Sequence, residues 1–363
     1  LSSTQSVSAP ALTALIARLF VATGVPQPAA HAVADGLVEA DQMGLHSHGV
    51  MLTEMYVQRL LAGSVATAEA ATLVSDRGVT MVLDAGHALG QVTGDQAMHL
   101  AVGRAKELGA GIVAVRHGFH FGAARRFAVA AAEADCVGIV ACNTRPLMPA
   151  PGGAEAIVGN NPLAIAIPTD DDVPLVLDMA TSEAAMGKIR MAAQTGGAIP
   201  AGWAVDAEGV PTTDPEAAVR GMLLPASGPK GFGLAVMLDL LSGILSGGAA
   251  GTAVRALYQN DRQPYDCSHL FIAIDFGHFG DPATLRGAVT AYAARIREGR
   301  RAPGVDRLYL PGEPEWQRRQ DAGGRVALPD AVRMTLLRLA RELGVDTGEL
   351  FNPSTEGSTN AQA

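Results

Sequence analysis

Aromatic side chains make up only 4% of this 363-residue chain, with two tryptophans and five tyrosines. No Lys/Arg cluster is interleaved with them, and the formal charge is -9, so a nucleic-acid-binding surface is not expected. Cysteine is scarce too. Cys136, Cys142 and Cys267 are an odd number without metal-ligand spacing, which reads as reduced thiols in a cytoplasmic protein and no metal site. The N-terminus has no basic region followed by an apolar run, so no signal peptide is expected, and the start at Leu1 reads as processed. Two nucleotide-binding signatures are also missing. There is no Walker A sequence, and the nearest match to a dinucleotide fingerprint, Gly109-Ala110-Gly111-Ile112-Val113-Ala114, precedes its strand instead of following it.

What the chain has in quantity is apolar residues, 48% of the total, enough for a large core in two ordinary domains or one elaborate one. The stretch Gly231 to Val254 is long enough to span a bilayer. Asp239 near its middle would be costly there, and its glycines make a poor continuous helix, so it reads as a buried helix and small-residue turn at a subunit contact rather than a membrane span.

Chemistry concentrates in Leu45-His46-Ser47-His48-Gly49, where two imidazoles flank a hydroxyl. Imidazole exchanges protons near neutral pH, which makes His48 a candidate acid or base and Ser47 a group that orients it or binds a substrate oxygen. Three other readings stand beside this one. A surface turn carrying incidental histidines would look the same. A metal held by His46 and His48 would lack its remaining ligands, and a Ser-His hydrolase would lack the G-x-S-x-G elbow.

Apolar spacing predicts helices over 11–23, 28–43 and 50–61, which mount the histidine segment at a helix junction. Strand and helix then alternate: strands 80–84, 111–115, 137–142, 163–167 and 175–178, and helices 94–107 and 123–134, with a turn-rich loop over 143–161. Helices at 285–298 and 329–343 close the chain. This alternation indicates an α/β fold. Three glycine-rich loops, at Gly152, Gly231 and Gly312, are candidates for cradling a nucleotide.

Six strings in order carry a family resemblance: SHGV at Ser47, RHGFHFGAA at Arg116, PAPGGAEAIVGNNPLAIAIP at Pro149, LDMATS at Leu177, PKGFGLAVMLDLLSG at Pro229 and LPGEPE at Leu310. From about residue 10 to about residue 340 the chain resembles the malate/L-lactate dehydrogenase family of the non-Rossmann type. That family includes ureidoglycolate and sulfolactate dehydrogenases, diketogulonate reductase and piperideine-2-carboxylate reductase. The resemblance implies a homodimer that binds NAD(H) or NADP(H) on a largely antiparallel sheet, residues 76–280. A helical companion domain from both chain ends, 1–75 and 281–351, and a disordered tail over 352–363 would complete the chain. It also implies hydride transfer to or from carbon 2 of a 2-oxo, 2-hydroxy or cyclic 2-imino acid.

Site residues follow from the same resemblance. His48 would be the proton donor in reduction and the base in oxidation, Ser47 its partner and Asp178 a supporting carboxylate near the nicotinamide. His120 and Tyr56 would line the substrate, while His117 stands where Asn or Ser is more usual. Cofactor contacts would come from His120, Thr144, Asp178, Met179, Ala180, Lys230, Gly231, Gly312 and Glu313. One departure matters. The family commonly has a carboxylate-binding arginine five residues after the serine, and here that position is Leu52. Either Arg145 supplies the missing guanidinium, or Leu52 and Met148 line a more apolar pocket for an atypical substrate. A relative that binds nucleotide or metabolite without turnover remains the alternative from another class.

Overall fold

The computed structural model describes residues 4–351, so the tail expected at 352–363 lies outside the described residues. A seven-stranded sheet occupies the middle of the chain. Its strands lie in the order Thr72–Arg77, Thr80–Asp84, Ala110–Gly118, Cys267–Asp275, Cys136–Cys142, Leu163–Ile167 and Leu175–Met179. Only Thr80–Asp84 and Ala110–Gly118 pair in parallel, joined by the crossover helix Gly90–Leu108 that a parallel connection requires. Every other pair is antiparallel. The fold is therefore α/β with a largely antiparallel sheet, as the family resemblance implied and strand–helix alternation alone did not.

Helix Gly90–Leu108 ends on Gly109, whose φ of 88° turns the chain into the next strand. The Gly109-Ala110-Gly111 string is thus a helix terminus, in keeping with its wrong order for a phosphate loop. Helices Gly90–Leu108 and Arg125–Glu133 cover one face of the sheet, packing Met98, Phe127 and Ala131 against Val113, Val140 and Phe271. The helix Pro229–Ser246 covers the other face, where Leu238 meets Ala114, Ala141 and Leu270. By length and composition it is apolar enough to cross a membrane. Its Asp239, however, faces inward and accepts bonds from Asn143 Nδ2 at 3.0 Å and the Gly251 N–H at 3.0 Å, so the carboxylate is satisfied inside the fold.

The chain ends meet. Thr4–Ser8 pairs antiparallel with Arg325–Pro329, and one core joins Leu12, Phe20, Leu37 and Tyr56 to Leu336 and Leu339 of the last helix, Asp330–Glu342. Each such side chain stabilises the fold by up to about 1.5–3 kcal/mol through burial. A third core, around Met148, Ile189 and Leu223, packs helix Met186–Thr195 on a small three-stranded sheet. The expected loop over 143–161 contains two short paired strands, Met148–Pro149 and Ala156–Val158.

Candidate active site

Helix Gln27–Gln42 stops at Gly44, with φ of 76°, and the chain turns through a single 3-10 turn, His46–His48. Asp41, in the last turn of that helix, straps the turn in place. Its carboxylate accepts from His46 Nδ1 at 2.7 Å and from the Val50 N–H at 2.8 Å. Gly49 lies against it so closely that a Cβ there would fall 2.5 Å from the Asp41 carboxyl carbon. The bond to Asp41 raises the His46 pKa, and the ring is otherwise exposed, so His46 is a strut rather than a cleft residue.

His48 is half-buried beside it. The Ser47 hydroxyl lies 2.9 Å from its Nδ1, which leaves Nε2 for a substrate. Its ring stacks on that of His120, with centroids 5.7 Å apart and planes 21° apart. His120 follows strand Ala110–Gly118, and its Nδ1 is 2.7 Å from the Tyr56 hydroxyl. The same oxygen accepts from Gln91 Nε2 at 3.1 Å. We assign the phenol proton to His120 Nδ1, the shorter of its two contacts, because the His120 carbonyl is 3.2 Å away. His120 then carries its ring proton on Nε2. Surrounding protein pushes His120 down to about 3, with the neighbouring His48 and His269 adding to the effect, and burial lowers His48 as well. Both rings are thus neutral at neutral pH.

Asp178 ends the edge strand Leu175–Met179 and accepts from the Arg125 N–H at 3.2 Å, at the start of the helix that follows the His120 loop. Protein crowding raises its pKa to about 6 although its outer side stays open to solvent; the Arg125 N–H and the Arg125 charge work in the opposite direction. From Asp178 the chain passes Thr181 and Ser182 to helix Met186–Thr195, where a Cβ on Gly187 would lie 3.9 Å from that of Ser47. One continuous segment therefore connects Asp178 to the histidine turn.

The expected cofactor residues assemble around that segment. Ala226 N–H donates to the Thr181 carbonyl at 2.9 Å, which seats the loop before Lys230 and Gly231 beside Met179 and Ala180. Gly231 approaches Ala226 so closely that a Cβ would fall 2.2 Å from its carbonyl oxygen. Thr144 joins the group through Asn160, whose side chain accepts from the Thr144 hydroxyl at 3.1 Å and whose carbonyl accepts from the Thr181 N–H at 3.1 Å. Gly312 packs on Val176, where a Cβ would meet Val176 at 2.9 Å. Lys230 is exposed on the first turn of its helix, where its ammonium suits a phosphate. Glu313 is different. Its oxygens already accept from Arg297 Nε at 2.6 Å and the Leu310 N–H at 2.8 Å, so the carboxylate shapes its own loop.

Tyr56 is fully buried and meets the histidine pair through His120. Leu52 and Met148 are both buried, Leu52 at 2% exposure in the helical core and Met148 at 0% in the third core. They lie in separate cores. Arg145 is half-buried; its guanidinium donates to the Pro146 carbonyl at 3.4 Å, and the titratable groups within reach of it are the phenols of Tyr265 and Tyr258 and the guanidinium of Arg190, with no carboxylate among them.

Three contributors were not apparent from the sequence. Asp41 and Gln91 reach the histidines only through folding. Arg59, 1% exposed, binds the Leu257 carbonyl through Nη2 at 2.6 Å, the Gln263 carbonyl at 2.8 Å and the Asn260 carbonyl at 3.1 Å, and so pins the loop that carries Tyr258. Family strings around Ser47 and His120 gave no signal for these partners.

Known proteins share both the sequence and the fold. The malate/L-lactate dehydrogenase family profile matches residues 7–336. A malate dehydrogenase of Pyrococcus abyssi is 37% identical over 310 residues, 83% of this chain and 84% of that protein. An NAD(+) ureidoglycolate dehydrogenase of Escherichia coli is 36% identical, covering 86% and 88%. An NADP(+) (2R)-3-sulfolactate dehydrogenase of Chromohalobacter salexigens is 34% identical, covering 86% and 91%. Among solved structures, sulfolactate dehydrogenase from Methanocaldococcus jannaschii superposes with a TM-score of 0.90 at 34% identity, covering 95% of this chain and 99% of that one. Delta1-piperideine-2-carboxylate reductase from Pseudomonas syringae gives 0.83 at 28% identity, covering 93% and 100%.

Proposed function

We infer a site chemistry for a chain that belongs to the malate/L-lactate dehydrogenase family and is an NAD(P)-dependent oxidoreductase acting on 2-hydroxy and 2-oxo acids. The finer reading is that His48 exchanges the proton at the C2 heteroatom of a 2-oxo or cyclic 2-imino acid, and that Arg145 binds the carboxylate in place of the arginine replaced by Leu52. The observation that carries it is the stacked pair of neutral imidazoles, each held from behind, by Ser47 and by Tyr56.

Bound NAD(H) or NADP(H) supplies or takes up the hydride at C2. Negative charge then builds on the substrate oxygen or nitrogen, and a donor within about 3 Å lowers the barrier by neutralising it. The neutral ring of His48 is ready to act as base in oxidation. In reduction, an anionic substrate beside it favours the imidazolium and brings it into use as the acid. His120, held by Tyr56 with Nε2–H forward, donates a hydrogen bond to the same heteroatom and stays neutral throughout. Asp178 acts as a supporting carboxylate beside the cofactor. Lys230, Gly231, Thr144, Met179, Ala180 and Gly312 hold the cofactor, and Glu313 fixes the loop around Gly312.

The test is loss of NADH or NADPH absorbance with a panel of 2-oxo acids and cyclic 2-imino acids. Turnover abolished by His48→Ala is the expected result. Undiminished turnover in that variant, or cofactor binding with no turnover anywhere on the panel, refutes it; the second outcome identifies a non-catalytic binder.

The assembly we propose is a homodimer. Met237, Leu240, Leu241, Ile244 and Leu245 line the outer face of helix Pro229–Ser246 and are each more than 40% exposed, an apolar patch of the sort that a second copy covers. Sedimentation of Leu241→Glu is expected to give a monomer, and a dimer of unchanged affinity would refute this. The three cysteines are free and buried, which agrees with a cytoplasmic setting.

A further inference from the structure

We infer that Arg190 is the second arm of an anion clamp, gripping the same substrate carboxylate as Arg145 with its guanidinium held over the Tyr258 ring. This rests on the assignment of Arg145 above. Arg190 lies on helix Met186–Thr195, three residues after Gly187, and the two share a helix face. Gly187 is the residue that abuts Ser47, so this face is turned toward the histidine turn. Ile189, fully buried in the third core, anchors the helix in that orientation.

The Arg190 guanidinium stacks 5.7 Å from the Tyr258 ring centre and, among the described residues, takes part in no ion pair. Tyr258 in turn is carried on the loop that Arg59 pins and lies within electrostatic reach of Tyr56, Arg145 and Arg190. Arg145 connects to the imidazoles by a separate route. Its guanidinium lies within electrostatic reach of Tyr265, whose ring sits 6.4 Å from Phe119, and Phe119 packs edge-on to Tyr56 at 5.1 Å. The two guanidinium groups stand close enough to repel each other, and among the described residues neither is in an ion pair with a protein carboxylate. An anion between them removes the repulsion and takes charge-assisted bonds from both. A carboxylate on the reacting carbon has the charge and planarity that such a pair recognises.

The experiment is calorimetric titration of the enzyme–NADH complex with oxamate, and with oxamide as its uncharged counterpart. Wild type, Arg145→Ala, Arg190→Ala and the double variant are compared, with retained NADH binding reporting a folded site. Each single variant is expected to weaken oxamate at least about ten-fold and leave oxamide unchanged. The double variant should lose less than the product of the single losses, because both arms hold one anion. Weakening by Arg145→Ala alone overturns the clamp and leaves the Arg145 assignment standing, whereas no weakening by either overturns both. Loss of the dimer in Arg190→Ala with oxamate affinity intact also overturns the clamp, since the arginine would then pair across the subunit contact.

Discussion

Replacing Tyr56 by phenylalanine removes one oxygen atom and disconnects the relay behind His120. The ring itself, fully buried between Phe20 and Phe119, stays packed. Two bonds disappear, one to His120 Nδ1 at 2.7 Å and one from Gln91 Nε2 at 3.1 Å. The first is worth about 1 kcal/mol, and the Gln91 amide, buried with its own Oε1 already unpartnered, is left with an unsatisfied donor costing about 1–3 kcal/mol. Stability should fall by about 2–4 kcal/mol, read as a lower urea midpoint at constant slope. Activity should fall too, because His120 is then free to exchange tautomers and turn a lone pair toward the developing charge. A tenfold loss in kcat/KM, about 1.4 kcal/mol, is the expected size. The pH profile should keep its shape, since a ring at about 3 does not titrate in the working range. A variant with the lower urea midpoint but wild-type kcat/KM would show that the phenol only fills space and bonds, and would refute the positioning role.

Asp178→Asn should make the fold more stable at neutral pH. The carboxyl has a folded pKa of about 6 against an unfolded value of about 3.9, so the folded state holds the proton more tightly and stability falls as pH rises through that window. Discounted for the solvent on its outer side, the gain above pH 6 is about 1 kcal/mol, and urea midpoints at pH 4 and pH 7 that shift equally on substitution would refute it. Arg59→Met should cost about 3 kcal/mol by leaving the carbonyls of Leu257, Asn260 and Gln263 without their donors, and should open residues 256–263 to protease. Unchanged cleavage of that segment would show that the loop holds itself.

What the sequence made legible follows from how locally each feature is determined. The strands at 80–84 and 163–167 stand where β-branched and apolar runs put them, and Gly109 ends its helix because the string around it precedes a strand. Strand Cys267–Asp275 was missed although it is the centre of the sheet. A strand covered on both faces loses the alternation that marks half-buried ones, and Ser268 and His269 interrupt its apolar run. His48 and His120 announced themselves through the strings around them, but Asp41, Gln91 and Arg59 did not, because a carboxylate, an amide and a guanidinium reveal their targets only once helices are packed. Arg190 is the extreme case. On an amphipathic helix an arginine reads as a solvated face, and its significance lies in what folding places around it: a tyrosine under its plane, a second arginine within electrostatic reach and, among the described residues, no carboxylate paired with either. The absence of arginine at position 52 is visible in one residue, whereas the means of compensating for it is distributed over three segments that meet only in the folded chain.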